Sequence, residues 1–355
     1  MQPSPLARYL LAAYTLLVIY ASLHPFTGWR DNGVAPLAFL SAPLPRYITT
    51  FDVLANLLAY APLGFLAVLA FFPALRGAGA VVAACFMAAT LSVSLELLQN
   101  YLPARFASNL DLALNAAGGL VGGIIGAGLA GRFLRDAGLH ALRYRVFRHG
   151  GRIDLGLVLI GLWLVSQLNP GTLLFGCGDL RELLQGPTGE LHTPDVFIRV
   201  EAGVAAANTV AVGLLAAALV ERNQPVRLIV IALLASAFVV RTFAFGLLFS
   251  AQDMLAWVTP GAVFGVAAGT LVAVIASALP RAGRLALSAL ALMAATVLVN
   301  IAPENPYLVA SLAVWRQGHF LNFNGLTRIV SAVWPFCALV VLMLLAGDRE
   351  HRGGR

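Results

Sequence analysis

Long apolar segments recur along the whole chain, separated by shorter polar ones. A helix rises 1.5 Å per residue, so about 20 apolar residues cross the roughly 30 Å of hydrocarbon in a bilayer. The pattern predicts an all-α polytopic integral membrane protein with about ten transmembrane helices. The predicted spans are residues 7–24, 51–73, 79–101, 111–131, 153–172, 198–220, 228–249, 258–279, 285–301 and 326–346.

The basic residues are distributed unevenly over the segments between these spans. All 23 are arginine; fifteen lie on the same side as the N-terminus, seven on the opposite side, and Arg241 lies within a span. Cytoplasmic segments carry the excess of positive charge in membrane proteins. The distribution therefore predicts that both termini face the cytoplasm, which requires an even number of spans.

The composition agrees with a membrane protein and excludes most soluble classes. The chain is 60% hydrophobic and 11% charged, against about 25% charged in an average soluble protein. The net charge of +7 follows the positive-inside pattern, so we expect no nucleic-acid partner. The first apolar run lacks a small-residue cleavage motif, which favours a retained helix over a cleaved signal peptide.

The longest polar segment predicted to be cytoplasmic suggests a domain boundary. It predicts a four-helix domain at 1–135, a basic linker at 136–152, a six-helix domain at 153–346 and a cytoplasmic tail at 347–355. The arginines from Arg132 to Arg152 are expected to anchor the topology at the membrane surface.

A weak internal repeat relates helices 1–4 to helices 5–8, with two helices left over. The segment from Asp111 aligns without gaps with the segment from Asp253, so that Gly119 matches Gly261 and Gly123 matches Gly265. Four helices separate the two segments, as in a parallel repeat. The alternative is chance similarity between glycine-rich membrane helices, since close helix packing alone selects small residues.

Polar residues cluster where the second, third and fourth spans are predicted to meet the outer leaflet. They share helix faces at i, i+3 and i+4 spacings, and polar groups inside a span are candidates for a functional site. They are Asp52, Asn56 and Tyr60 in the second span, Glu96, Gln99 and Asn100 in the third, Arg105, Ser108 and Asn109 in the following loop, and Asp111 and Asn115 in the fourth.

Two interpretations of this cluster stay open. Neighbouring carboxylates repel one another unless a cation or a shared proton separates them, and Arg105 is the obvious counter-charge for Glu96. Alternatively, the cluster is a hydrogen-bond network that fastens the three helices, with Asp52 and Asp111 capping helix N-termini. The many glycines of the fourth span predict close helix packing rather than a phosphate-binding loop.

The order and spacing of these polar residues over about residues 1–135 resemble the VanZ-like family, named after an accessory teicoplanin-resistance protein. The resemblance implies a role at the cell envelope and places the family's polar positions on Asp52, Asn56, Glu96, Gln99, Arg105, Asp111 and Asn115. Family members often have a basic residue and a His or Tyr before helix 2, for which Arg46 and Tyr47 are the nearest candidates.

The C-terminal half lacks an equivalent of Glu96 and Gln99 and has Arg241 within a span instead. A buried arginine needs a partner, so we expect an intramembrane ion pair with Glu201. The aromatic segment from Trp315 to Gly325 is expected to anchor at the headgroups. His319 alone does not make a metal site, and no cofactor or metal is expected.

These observations favour a multi-pass protein of the bacterial cytoplasmic membrane whose partners are membrane lipids. The leading hypothesis is that it binds or handles a lipid-linked envelope precursor, with Arg105 contacting a phosphate and with a possible influence on teicoplanin susceptibility. A membrane enzyme with Glu96 as general acid or base is less favoured, because no nucleophile or metal accompanies it. A transporter and a structural scaffold are two further hypotheses.

Overall fold

The fold is all-helical in a computed structural model that describes residues 4–45, 47–134, 139–181, 194–248, 252–303 and 321–347. Within these ranges there are twelve helices and no strand, only an isolated bridge between Phe147 and Val220. The helices are α1 Pro5–Leu23, α2 Ala38–Ser41, α3 Thr50–Phe71, α4 Gly77–Gln99, α5 Asn109–Leu134, α6 Leu139–Val146, α7 Gly151–Ser166, α8 Pro194–Leu219, α9 Val226–Leu248, α10 Pro260–Ala276, α11 Arg281–Ile301 and α12 Leu321–Ala346.

Each of the ten predicted spans forms a helix, and eight of these helices are long and apolar enough to cross a membrane. The other two are α7, with 16 residues, and α10, with 17. Both are shorter than the roughly 20 residues of a simple span, because α7 unwinds after Ser166 and α10 begins only at Pro260. The protein is a polytopic α-helical membrane protein.

Local sequence accounts for where several helices begin. The Ser4 hydroxyl caps α1 ahead of Pro5, and the Thr259 hydroxyl caps α10 ahead of Pro260. At α3, Thr49 and Asp52 form a reciprocal capping box, with the Asp52 amide donating to the Thr49 hydroxyl at 3.1 Å. Such caps satisfy amides that have no partner inside the helix.

Contacts divide the chain into two compact units, Met1–Arg145 and Val146–Arg355. The division falls inside the predicted linker at 136–152. Part of that linker is the short basic helix α6, which carries Arg143 and Arg145 in its last turn.

In the first unit, α5 packs closely against α3 and α4 because glycines remove the side chains that would separate them. A side-chain carbon added at Gly64 would collide with the backbone of Gly119, and one at Gly122 would collide with the carbonyl oxygen of Ala61. On its other face, Gly119 packs against Ala88 of α4. The predicted packing role of these glycines is therefore observed, and it brings the polar ends of three helices together.

In the second unit, α8 is the central helix and packs against α7, α9, α10 and α11. Its contact with α10 also uses glycines, since carbon atoms added at Gly265 and Gly269 would meet the α8 backbone. The predicted repeat pairs Asp111 with Asp253, but Asp111 lies in the first turn of α5 whereas Asp253 lies in the turn before α10. The repeat stays a prediction.

We expect Gly122→Ala to destabilise the first unit by about 1–3 kcal/mol, because the added methyl group forces two backbones apart. Gly128→Ala is the matched control in the same helix, since nothing lies within 4 Å of the added carbon. The control should be neutral or slightly stabilising, because Ala favours helix over Gly. Thermal unfolding in detergent measures the stability of both variants. Equal melting temperatures would contradict the close packing of α5 against α3 at Gly122.

Candidate functional site

Hydrogen bonds between helices join the polar ends of α3, α4 and α5 into what we call the polar seam, made of Asn56, Tyr60, Ser92, Glu96, Asp111 and Asn115. Asn56 of α3 donates from its amide nitrogen to Asp111 Oδ1 of α5 at 2.8 Å. One turn further along α5, Asn115 donates to the Ser92 hydroxyl of α4 at 3.0 Å. The Tyr60 side chain also interacts with Ser92.

Glu96 is the buried acid of the seam, with 3% of its surface exposed. Its Oε2 accepts a hydrogen bond from the Ser108 amide at 2.8 Å, at the turn that leads into α5. Its charge interacts with those of Asp111 and Arg105. The structure thus brings together Glu96 and Asp111, as the sequence predicted, and a backbone amide is the direct hydrogen-bond donor to Glu96.

Arg105 lies in the loop between α4 and α5 and holds that loop to the end of α1. Its Nε and one terminal nitrogen donate to the His24 carbonyl oxygen at 3.1 and 2.7 Å, and the same terminal nitrogen donates to the Ala21 carbonyl at 3.1 Å. Burial lowers the pKa of the Arg105 guanidinium, while the Glu96 carboxylate opposes this shift. Arg105 therefore supports the loop that supplies the Ser108 amide to Glu96.

The remaining predicted positions lie around the seam. Asp52 is exposed and caps α3, and its charge interacts with Asp111. Gln99 donates to the Ser22 carbonyl oxygen at 2.9 Å and so ties α4 to α1. Asn100 and Asn109 donate to carbonyl oxygens of the segment between α1 and α3, at 2.7 and 2.6 Å.

Ser92 is the central residue that sequence reasoning missed, because a single serine in an apolar span gives little signal. It is fully buried and contacts both Asn115 and Tyr60. Its position four residues before Glu96, on the same helix face, is the only signal that could have identified it.

The seam offers acceptors more than donors. The Oδ1 atom of Asn115 is buried without a hydrogen-bond partner in the described part of the chain, and two carboxylates lie nearby. Among the described residues, no group of three His, Cys, Asp or Glu side chains could hold a metal ion. The arrangement is suited to accepting hydrogen bonds from hydroxyl or amino groups of a ligand.

A second polar centre lies in the other unit, around Arg241 of α9. Arg241 is 2% exposed, and its guanidinium donates to the carbonyl oxygens of Asn169 and Thr172 and to the Thr172 hydroxyl, the last at 3.3 Å. These carbonyls are available because the chain leaves the helical path after α7. Its charge also lies over the ring of Phe245, 5.1 Å from the centroid.

The predicted ion pair between Arg241 and Glu201 is not a direct contact among the described residues. Glu201 accepts a hydrogen bond from the Thr259 hydroxyl at 2.6 Å, at the start of α10. The two charges still interact electrostatically. Unwound backbone provides closer acceptors for the guanidinium than the carboxylate does, which the sequence pattern alone does not reveal.

Cys177 lies near this centre and hydrogen-bonds to Ser166 at 3.4 Å. Burial raises the pKa of the Cys177 thiol to about 11. The thiol therefore stays protonated at neutral pH and is a poor nucleophile. Of the other predicted positions, Tyr47 is exposed, whereas Arg46, His319 and the segment 315–320 lie outside the described residues.

The fold and its polar seam define a multi-pass α-helical membrane protein with buried polar groups at one end of its N-terminal helices. Residues 6–130 match the VanZ/LLP1 family model, so the N-terminal unit contains a VanZ-like domain. The resemblance predicted from the polar residues is thereby confirmed. No curated protein and no solved structure matches the chain.

We expect Ser92→Ala to destabilise the first unit by about 1–3 kcal/mol, because it leaves the buried Asn115 amide without its acceptor. Ser94→Ala is the matched control on the same helix, since Ser94 is exposed and bonds only back to Thr90 within the described contacts. Thermal unfolding in detergent compares them. Equal effects of the two substitutions would contradict the role of Ser92 as the centre of the seam.

We also expect Arg241→Met to destabilise the second unit by about 2 kcal/mol. The substitution keeps the approximate length of the side chain but leaves the carbonyls of Asn169 and Thr172 without their donor. Arg227→Met is the control, because Arg227 is exposed on the first turn of the same helix. This substitution should change the melting temperature little. A melting temperature of Arg241→Met equal to that of the control would rule out this arrangement.

Proposed function

We propose that the VanZ-like domain binds the polar headgroup of a lipid-linked component of the bacterial cell envelope at the polar seam. The observation that carries the proposal is the convergence of polar groups from three helices around the buried Glu96, at one end of an otherwise apolar bundle. A buried acid is costly in such surroundings, so groups of this kind mark functional positions in membrane proteins.

The chemistry of the seam favours a ligand that donates hydrogen bonds. The carboxyl groups of Glu96 and Asp111 interact electrostatically with each other, and the Asn115 Oδ1 atom is an acceptor without a partner among the described residues. Hydroxyl and amino groups supply such donors, and both occur in glycan and amine headgroups. Because Arg105 is engaged by backbone carbonyls, we assign the headgroup contacts to the acids and amides of the seam.

Apolar grooves on the same unit fit the chain of a lipid. One groove of about 720 Å³ lies between α1, α3 and α4 and is lined mainly by apolar residues, including Leu11, Phe71 and Met87. A second, of about 530 Å³, shares Phe71 and Met87 and continues along α4 to Ser94. None of the seam residues lines either groove. The grooves therefore support only the proposal that this unit holds an apolar lipid chain, and the proposed headgroup contacts rest on the seam alone.

A structural scaffold is the second candidate, and the direct bonds from Asn56 to Asp111 and from Asn115 to Ser92 favour it. These bonds would fasten three helices in the absence of any ligand. The two functions differ at Glu96. A scaffold needs the carboxylate only for the Ser108 amide, which a glutamine also satisfies, whereas a ligand site depends on the charge.

Mass spectrometry of co-purified lipids tests the proposal with wild-type protein, Glu96→Gln and Glu201→Gln. Glu201→Gln is a matched control, because Glu201 is also 3% exposed within a helix but belongs to the other unit. We expect a polyprenyl-phosphate-linked or glycan-linked lipid to be enriched with wild type and control, and to be lost with Glu96→Gln. Thermal unfolding should show that Glu96→Gln remains folded.

Identical lipids in all three samples would exclude a headgroup site at Glu96. If Glu96→Gln keeps both the melting temperature and the lipids of wild type, the scaffold is supported, because glutamine also accepts the Ser108 amide. Chemical conversion of the bound lipid would indicate an enzyme, and its movement across sealed vesicles would indicate a transporter. A change in teicoplanin susceptibility on deletion of the gene, restored by wild type but not by Glu96→Gln, would connect the site with the family's role.

A further inference from the structure

Four arginines converge at one end of the second unit, and we call them the arginine cluster: Arg148, Arg222, Arg281 and Arg284. Residues far apart in the chain meet here because the Arg148 amide donates to the Leu219 carbonyl at 2.9 Å and the Glu221 amide donates to the Val146 carbonyl at 3.0 Å. The charge of Arg284 interacts with those of all three other members.

The cluster adds positive charge where helix geometry already concentrates it. Arg281 and Arg284 lie in the first turn of α11, although the N-terminus of a helix carries partial positive charge and favours anions. The N-cap residue is Pro280, and no side chain caps this end of α11 among the described contacts. Exposed amides at a helix start form a ready anion-binding site.

Capping of neighbouring helices accounts for only part of the cluster. Arg284 donates to the Ala217 carbonyl at 3.3 Å, and Arg148 donates to the Val220 carbonyl at 3.4 Å, both at the end of α8. A guanidinium has five donor hydrogens, and the Nε atom of Arg284 is buried with no hydrogen-bond partner among the described residues. Capping the end of α8 therefore uses a minority of the donors that the Arg284 side chain brings.

Acidic residues at this end are fewer than the arginines within the described ranges. Glu221 accepts the Arg222 amide at 3.3 Å, and Asp154 is buried in the first turn of α7. Arg152 adds a further positive charge and donates to the Leu344 carbonyl at 2.8 Å. The described residues thus leave a net positive charge at this end.

We propose that the arginine cluster and the start of α11 form a binding site for a phosphate group. Several guanidiniums near one another and an uncapped helix start are the combination by which proteins bind phosphate, through charge-assisted hydrogen bonds. The distribution of arginines predicts that this end faces the cytoplasm. The phosphate belongs either to an anionic phospholipid of the inner leaflet or to a soluble phosphate compound. The site belongs to the second unit and does not depend on the function of the polar seam.

Native mass spectrometry of delipidated wild-type protein tests the lipid source, with phosphatidylglycerol as the probe and phosphatidylcholine as the zwitterionic comparison. Thermal unfolding with inorganic phosphate, against sodium chloride at equal ionic strength, tests the soluble source. The test variants are Arg222→Gln, at an exposed position that does not threaten the fold, and the double variant Arg281→Gln/Arg284→Gln. Arg227→Gln is the control, because Arg227 is exposed near the same end but outside the cluster.

We expect the double variant to bind the probe at least about tenfold more weakly than wild type, and Arg222→Gln to weaken binding in the same direction. The control should match wild type. Selective binding of phosphatidylglycerol without a response to inorganic phosphate identifies a lipid headgroup site, and stabilisation by inorganic phosphate identifies a soluble one. No preference for either probe in wild type overturns the proposal, as does equal loss of binding in the control. If the double variant unfolds, the comparison of probe binding between wild type and Arg222→Gln tests the proposal.

Discussion

Hydrocarbon offers no hydrogen bonds, so a polar side chain within a spanning helix is stabilised only by groups that the protein itself supplies. The structure answers this constraint in two ways. In the first unit, side chains of neighbouring helices hydrogen-bond to one another, as the Asn115 amide nitrogen does to the Ser92 hydroxyl. In the second unit, the two terminal nitrogens of Arg241 donate to carbonyl groups that the chain exposes where it unwinds after α7. Both solutions require backbones and side chains to lie close together.

Close helix packing is what makes the first solution available. Gly119 and Gly122 let α5 approach α3 and α4 so closely that short side chains such as Ser92 and Asn56 reach across. A longer residue at either glycine would separate the helices and leave Asn115 and Asp111 without partners. The hydrogen bonds of the polar seam therefore depend on the close helix packing that the glycines allow.

The two proposed sites carry opposite charges and so suit different ligands. The seam of the VanZ-like domain presents carboxylates and amides and is suited to a ligand rich in hydrogen-bond donors. The arginine cluster of the second unit presents guanidiniums and an uncapped helix start and is suited to phosphate. Arg105, which the sequence suggested for a phosphate contact, donates to backbone carbonyl oxygens at the end of α1 and supports the loop that leads into α5. A phosphate contact of Arg105 stays a prediction, and the arginine cluster is proposed independently of it.

The sequence by itself determined the helical membrane class, the positions of ten helices and the VanZ-like character of residues 6–130. Apolar runs and the spacing of polar residues along one helix are local properties, so they can be read without knowledge of the fold. It also identified Glu96, Asp111 and Asn115 as neighbours, because the ends of consecutive helices return to the same side.

Only the tertiary structure decided which atoms these residues contact. Ser92 accepts the hydrogen bond from Asn115, and Arg241 donates to backbone carbonyls rather than to Glu201. The meeting of Arg148 and Arg222 with Arg284 was likewise invisible in the sequence, where α7 and α8 separate the first two. Such contacts depend on how helices rotate about their axes and where they unwind, and packing between distant segments sets both.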